Sequence, residues 1–421
     1  MSYILWKIER TPLVDEAYDE NDTEEITRYH DVNVRVGLGD TKDSFEFKVT
    51  NFNNEYFGKF RPRDRITLYR TVNSETVSTD DLMMIGTVRS ADQESTADVN
   101  ALSIEGYNYG ESVMDAIVFS DPRDQGLDVS QALQSALNSV QNDNPSFSVT
   151  WHEDNPDNKK DNTSFPQVEE RWFYKPFKKI LNKYSTNEFT EDGRYNWYVD
   201  KNNKLLWIPE SNEVDYTYNQ LTDPDTKEIS IGKDTEGIVN FVIVKGGSDP
   251  KGSPITARAQ DYESTSRHGL KFKHHISDAG YARTTNAADM VTIGGDPENG
   301  PLPSDQPEFS YPTSAFKWLS AIGETEVTDD DDYVKKFRAY IRERLRADAR
   351  DMIENRRFGK LVVEISVTAG SKNWGLGDLV NVSAYNVTLE GEFATKELRV
   401  MEIDYGTDID MYTLSEDEGT I

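Results

Sequence analysis

Between Asp43 and Arg70 the chain reads DSFEFKVTNFNNEYFGKFRPRDRITLYR, a stretch that admits few folds. Phe45, Phe47 and Val49 alternate with polar residues, and Ile66 and Leu68 alternate again, so both runs read as strands with one buried face. The connection between them carries Asn53, Asn54, Gly58 and Pro62 and is long for a hairpin. It also holds three aromatics, Phe52, Tyr56 and Phe57, so it is expected to be anchored by its own side chains.

The same period of two recurs at Val32, Val34 and Val36, over Leu82 to Val88, and at Leu102-Ser103-Ile104. Residues 1–112 are therefore expected to form a small antiparallel barrel or sandwich. The period then changes. Val129, Ala132, Leu133, Ala136, Leu137 and Val140 follow helical spacing, with Asp128 as N-cap and Gln131 completing a capping box. Phe177, Ile180, Leu181 and Tyr184 mark a second helix, with Pro176 in its first turn. Tyr195, Trp197 and Val199 lead through the turn Asp200 to Lys204 into Leu205-Leu206-Trp207-Ile208, a hairpin that completes an α/β domain over 113–210.

Residues 251–357 read as an inserted domain, loop-rich over 251–328 and closed by a long helix over 329–357. Val334, Phe337, Ile341, Leu345, Ala349 and Met352 stripe that helix, and Gly359 can end it. Leu361, Val363, Ile365 and Val367 alternate after it, before the turn Trp374-Gly375-Leu376-Gly377-Asp378 and a return through Leu379, Val380 and Val382.

Charge narrows the function classes. The 76 acidic residues outnumber 46 basic ones, for a formal net charge of -30. Such a surface repels duplex DNA and argues against binding to the outside of nucleic acid. The acids are spread along the chain among Asn, Thr and Ser, as in a hydrated surface adapted to high salt, where the Debye length is about 3 Å at 1 M. There is no cysteine, hence no disulfide, thiolate metal site or cysteine nucleophile. No run of about 18 apolar residues occurs, and the opening MSYILWKIER lacks a basic segment followed by an apolar one, so neither a membrane span nor a cleaved leader is expected.

Motifs that carry chemistry are sparse. Gly37-x-Gly39 lacks the third glycine and following helix of a dinucleotide loop and reads as a hairpin loop. Asp329 to Asp332 suit the positive end of a helix dipole better than a cation. Asp121-Pro122-Arg123-Asp124-Gln125-Gly126 lacks calcium-loop spacing and reads as a turn. The histidines His30, His152, His268, His274 and His275 have no zinc spacing, and Gly247-Ser248 lies in a turn rather than a nucleophile elbow. No catalytic, cofactor-binding or metal-ligating residue is expected, and the chain reads as a non-enzyme.

The order of these pieces carries a resemblance. A helix ending near Leu181, the hairpin RYNWYVDKNNKLLWIPE, the strand GIVNFVIVKGG at 237–247, a long arginine-rich helix and the Gly-Asp turn at 377–378 follow one another. This order resembles the baseplate hub (tail-tip hub) proteins of tailed viruses and related injection machines. The resemblance implies an α+β, mainly β fold. Two small antiparallel β-barrel (tube) domains, at 1–112 and at 211–250 with 358–421, would accompany the α/β domain and the inserted loop-rich one. It implies a homotrimer in the virion, at the tail tip or baseplate, made in the host cytoplasm. Its neighbours would be the tail tube or distal tail protein, the tape-measure protein and a tip or receptor-binding protein, with DNA only in transit through the lumen. The salt-adapted surface adds a virus of halophilic archaea. Two alternatives stay open: the hub of a cellular contractile injection system, and a secreted carbohydrate-binding or hydrolysing β-protein.

Overall fold

The computed structural model describes the chain except residues 1–2, 15–16, 40, 52–54, 57, 96–99, 121, 145–146, 157–164, 166–167, 169–171, 186–193, 235–237, 249–253, 277–282, 287–289, 293–341, 343–344, 347–348, 351, 354–359, 390 and 417–421. Two compact units result, Met1–Gly232 with Val362–Asp417, and a second centred on Lys233–Leu361.

The first module of the larger unit is built from β1 (Ile4–Thr11), a short hairpin of β2 (Leu13–Val14) and β3 (Ala17–Tyr18), β4 (Glu24–Ile26), β5 (Tyr29–Gly37), β6 (Ser44–Thr50), β7 (Arg65–Val72), β8 (Leu82–Ser95) and β9 (Asn100–Asn108). Strand order is β5-β6-β9-β8-β7-β1-β4. Alternate residues of these strands, among them Trp6, Ile8, Val34, Phe45, Phe47, Ile66 and Ile104, meet in one core. In the corner between β6 and β7, Tyr56 and Phe60 are buried, while Phe52 and Phe57 lie outside the described residues. A buried ion pair holds its far end. Asp64 accepts from Arg10 Nε at 2.8 Å and from the backbone N–H of Arg61 and Leu13.

Next come α1 (Gly110–Asp115), β10 (Ile117–Ser120), a single turn α2 (Pro122–Gln125), α3 (Val129–Asp143), β11 (Thr150–Trp151), β12 (Trp172–Pro176), α4 (Phe177–Tyr184), β13 (Tyr195–Val199) and β14 (Lys204–Pro209). The capping box at Asp128 and Gln131 is formed, and the apolar stripe of α3 is buried. Pro176 sits at the N-cap of α4 in extended backbone, one residue before the first turn, where its missing N–H costs nothing. Trp172, Phe177, Tyr195 and Trp207 join the α3 stripe in the core of this domain, with the Tyr195 and Trp207 rings stacked at 4.2 Å.

The chain then forms β15 (Tyr216–Asn219) and β16 (Thr226–Asp234) before entering the smaller unit. That unit holds β17 (Phe241–Ser248), β18 (Pro254–Gln260), α5 (Tyr262–His268), β19 (Phe272–Ile276) and a hairpin of β20 (Arg283–Asn286) and β21 (Met290–Thr292). The strand expected in GIVNFVIVKGG is β17, which lies in a three-stranded sheet, antiparallel to β18 and parallel to β19. The buried Asn240 side chain donates to the Gly269 carbonyl and accepts from Lys271 N–H, each at 2.7 Å, which fixes the loop between α5 and β19. Of the helix expected over 329–357, Leu345, Ala349 and Ile353 are described, helical and buried. Asp329 to Asp332, Val334, Phe337, Ile341 and Gly359 lie outside the described residues.

Back in the larger unit, β22 (Lys360–Thr368), β23 (Leu379–Tyr385), β24 (Phe393–Tyr405) and β25 (Ile409–Ser415) build a second β module around Val363, Ile365, Val382, Val400 and Tyr412. The fold is α+β and mainly β. Its two β modules share one sheet. One sheet runs β16-β22-β25-β24-β5-β6-β9-β8-β7-β1-β4, with β23 and β15 off this path. The 13-residue β24 is long enough to pair with β23 over its first half and with β5 beyond it, so the modules merge.

Candidate functional site

The geometry that bears on function lies in how the modules join and what they expose. Backbone pairing makes the seam: Glu402, Ile403, Asp404 and Tyr405 of β24 face Gly37, Val36, Arg35 and Val34 of β5. Arg35 Nε donates to Asp404 Oδ1 at 2.8 Å across it. Deeper in, Arg70 of β7 donates to Asp410 Oδ1 at 2.6 Å, and both residues are almost wholly buried. Asp410 also accepts from the N–H of Gly370 at 2.7 Å and of Gly406 at 3.2 Å, tying one carboxylate to three backbone segments. The Arg70 guanidinium lies 5.5 Å from the Trp6 ring and 5.1 Å from the Tyr405 ring. Burial and the nearby Asp410 charge push the Tyr405 hydroxyl up to about 12.

The Gly37-x-Gly39 loop sits where three modules meet. Leu38 N–H donates to Met401 O of β24 at 2.9 Å, and Gly39 N–H donates to Trp197 O of β13 at 2.8 Å. Gly39 has φ +62°, a conformation glycine adopts without strain. Beneath the loop, buried Asp43 accepts from Gly37 N–H at 2.9 Å and from the Asn108 side-chain amide. Buried Arg399 donates to Gly377 O at 2.6 Å and to Ser211 O at 3.0 Å.

Asp43 gives the junction a pH dependence. Burial pushes its carboxyl up to about 8, against the opposing pull of its two hydrogen bonds. The folded state therefore holds a proton that the unfolded chain releases near the ordinary carboxyl value of about 4. Stability is fully present below that value and falls as pH rises to about 8, by at most ~1.4 kcal/mol per unit. In Asp43→Asn this slope should vanish. Urea unfolding in 2 M KCl at pH 4.5, 6 and 8 is expected to show the variant gaining on the parent by about 1 kcal/mol or more across the range; a constant difference would refute the assignment.

Of the other sequence candidates, Pro122–Gln125 is the helical turn α2, and His274 and His275 are neighbours on β19. His30 is 3.2 Å from Asp31, and His152 is 3.5 Å from Asp154. No group of three or more His, Cys, Asp or Glu that could hold a metal ion occurs among the described residues. No helix among them is long and apolar enough to cross a membrane.

Two exposed apolar patches escaped the sequence reading, because alternation marks a residue as facing outward without saying which outward residues cluster. Leu221, Tyr385 and Phe393 are exposed at one end of the second module. Tyr385 and Phe393 are cross-strand partners there, and Tyr385 N–H donates to Gln220 Oε1, beside Leu221. Ile117, Phe119 and Tyr174 are exposed on the two-stranded sheet of β10 and β12.

Among solved structures, the 43 kDa tail protein of prophage MuSo2 from Shewanella oneidensis matches with a TM-score of 0.51 at 9% identity, covering 98% of this chain and 96% of that one. The chain shares the fold of a prophage tail protein. The tail protein from Neisseria meningitidis MC58 aligns at TM-score 0.49 and 13% identity over 98% of this chain and 97% of that one. The prophage tail protein gp18 from Listeria monocytogenes EGD-e aligns at 0.44 and 12%, over 98% and 95%. No protein-family model and no curated protein matches the sequence.

Proposed function

We propose that the chain is a virion structural protein, the homotrimeric hub of a tail tip or baseplate, with no catalytic activity of its own. The tail-protein fold supports a place in a virus tail. The observation that carries the finer reading is the merging of two β modules into one sheet through β24 and β5. A ring of three such chains would present six β modules, which fits a sixfold tube on one side and a threefold tip on the other. In this reading the tail tube or distal tail protein lies above, a tip or receptor-binding protein below, and the tape-measure protein ends in the lumen. DNA in transit would be repelled by an acidic lumen wall and so would not stick. The net charge of -30 further suggests a virus of a high-salt host.

The test is a mass measurement in molar salt, which screens repulsion between acidic copies. Three times the 48.0 kDa of one chain is expected. A species of one chain's mass at micromolar concentration would overturn the hub.

A further inference from the structure

We infer that the cleft beside β10 is a docking site for a cationic, apolar segment of another protein, seated by the Phe119 ring, against which Tyr174 packs at the cleft's edge, and held by Asp115 and Asp143. The inference does not depend on the trimeric hub. β10 and β12 form a sheet of two strands that no third strand joins among the described residues. Its inner face is buried through Val118, Ser120 and Trp172, while Ile117 and Phe119 face outward. The register slips between Val118 and Phe119, so Tyr174 is the extra residue of a bulge. Its φ is +56°, a left-handed conformation that is strained for tyrosine. The side chain recovers nothing by burial: it is 77% exposed and meets Phe119 edge to face at 4.9 Å. Strain that serves to aim a ring at solvent suits a contact still to be made.

The cleft beside these rings has a volume of about 340 Å³ and is floored by Ile117, Phe119, Val140 and Phe147. Among the described residues, Asp115 and Asp143 are the charged side chains that line it. Asp115 is the last residue of α1 and Asp143 the last of α3. Both sit at helix C-termini, where the backbone dipole is already negative and a basic residue would be favoured. Neither helix has a basic residue in its last turn. Two carboxylates placed against their own helices leave a local negative potential over an apolar floor, which Lys or Arg next to aliphatic or aromatic side chains would complement.

The probe is a labelled hexapeptide, Lys-Leu-Lys-Phe-Lys-Leu, titrated against the full chain by fluorescence anisotropy in 0.15 M KCl, beside a version with Glu in place of each Lys. The Lys peptide should bind and the Glu peptide should not. Tyr174→Asn relaxes the backbone, because Asn tolerates the left-handed region; its Tm should hold or rise while affinity falls at least tenfold. Asp115→Asn with Asp143→Asn should also lose at least tenfold. The overall charge changes too little in that pair to weaken general attraction so far. The proposal is overturned by failure of the Lys peptide to bind the parent, by unchanged affinity in these variants, or by equal binding of the Glu peptide. It is also overturned if Tyr174→Asn lowers the oligomeric mass, which would assign the face to contacts between copies.

Discussion

Replacing Arg70 by methionine should lower the unfolding free energy by about 3–5 kcal/mol, the usual loss when one partner of a buried ion pair is removed. Methionine can fill the space between Trp6 and Tyr405, so little of the loss would come from a cavity. The loss comes from Asp410, which is fully buried and would keep only the N–H groups of Gly370 and Gly406 as partners. Asp410→Asn in the same chain removes the stranded charge and keeps one of its two accepting oxygens, since Gly370 N–H bonds Oδ2 and Gly406 N–H bonds Oδ1. The double variant should therefore be more stable than Arg70→Met alone, a coupling that a double-mutant cycle measures directly. Guanidinium unfolding followed by tryptophan fluorescence gives all four values. A loss below about 1 kcal/mol for Arg70→Met would mean that water reaches the pair and that it does not lock the seam.

The second large effect is expected at Gly106→Ala. A Cβ there would stand 2.2 Å from the Thr87 carbonyl oxygen and 2.3 Å from the Phe45 ring. Phe45 lies across both Gly106 and Gly86, whose added Cβ would come within 2.9 Å of the same ring. Rotating Phe45 away cannot rescue Gly106→Ala, because the carbonyl belongs to the paired strand β8. Overpacking against backbone puts the cost at about 3 kcal/mol or more. Gly232, on the exposed edge strand β16, has nothing within 4 Å of such a Cβ, so Gly232→Ala should change stability by less than about 0.5 kcal/mol. Equal unfolding midpoints for the two variants would show that β8 and β9 can spread apart.

What the sequence reveals follows from the range of each interaction. The capping box of α3, the hairpin of β13 and β14 and the alternation of β6, β7 and β22 are local, and all are legible in short windows. The partner of a strand is not local. GIVNFVIVKGG reads correctly as a strand, yet its pairing with β18 and β19 is a matter of backbone register that no periodicity encodes. The merging of the two β modules depends on pairing between residues 34–37 and 402–405, invisible to any window. Charge patterns mislead in a similar way: Arg10, Arg70 and Arg399 look like surface residues in sequence, and each is buried with a partner that lies far along the chain or in another strand. At the cleft beside β10, the bulge that exposes Tyr174 left no turn-forming residue in the sequence to announce it.

The pairing of β5 with β24 also sets a timetable for synthesis. At roughly 5–20 residues per second, the ribosome adds the 365 residues that separate Gly37 from Glu402 in about 20–70 s. Throughout that interval the nascent chain carries β5 with one side lacking its final neighbour. Ribosomes following one another along a single message would hold several such chains close together, each offering the same unfinished strand to the next. Emergence of β24 from the ribosome is the event that closes it.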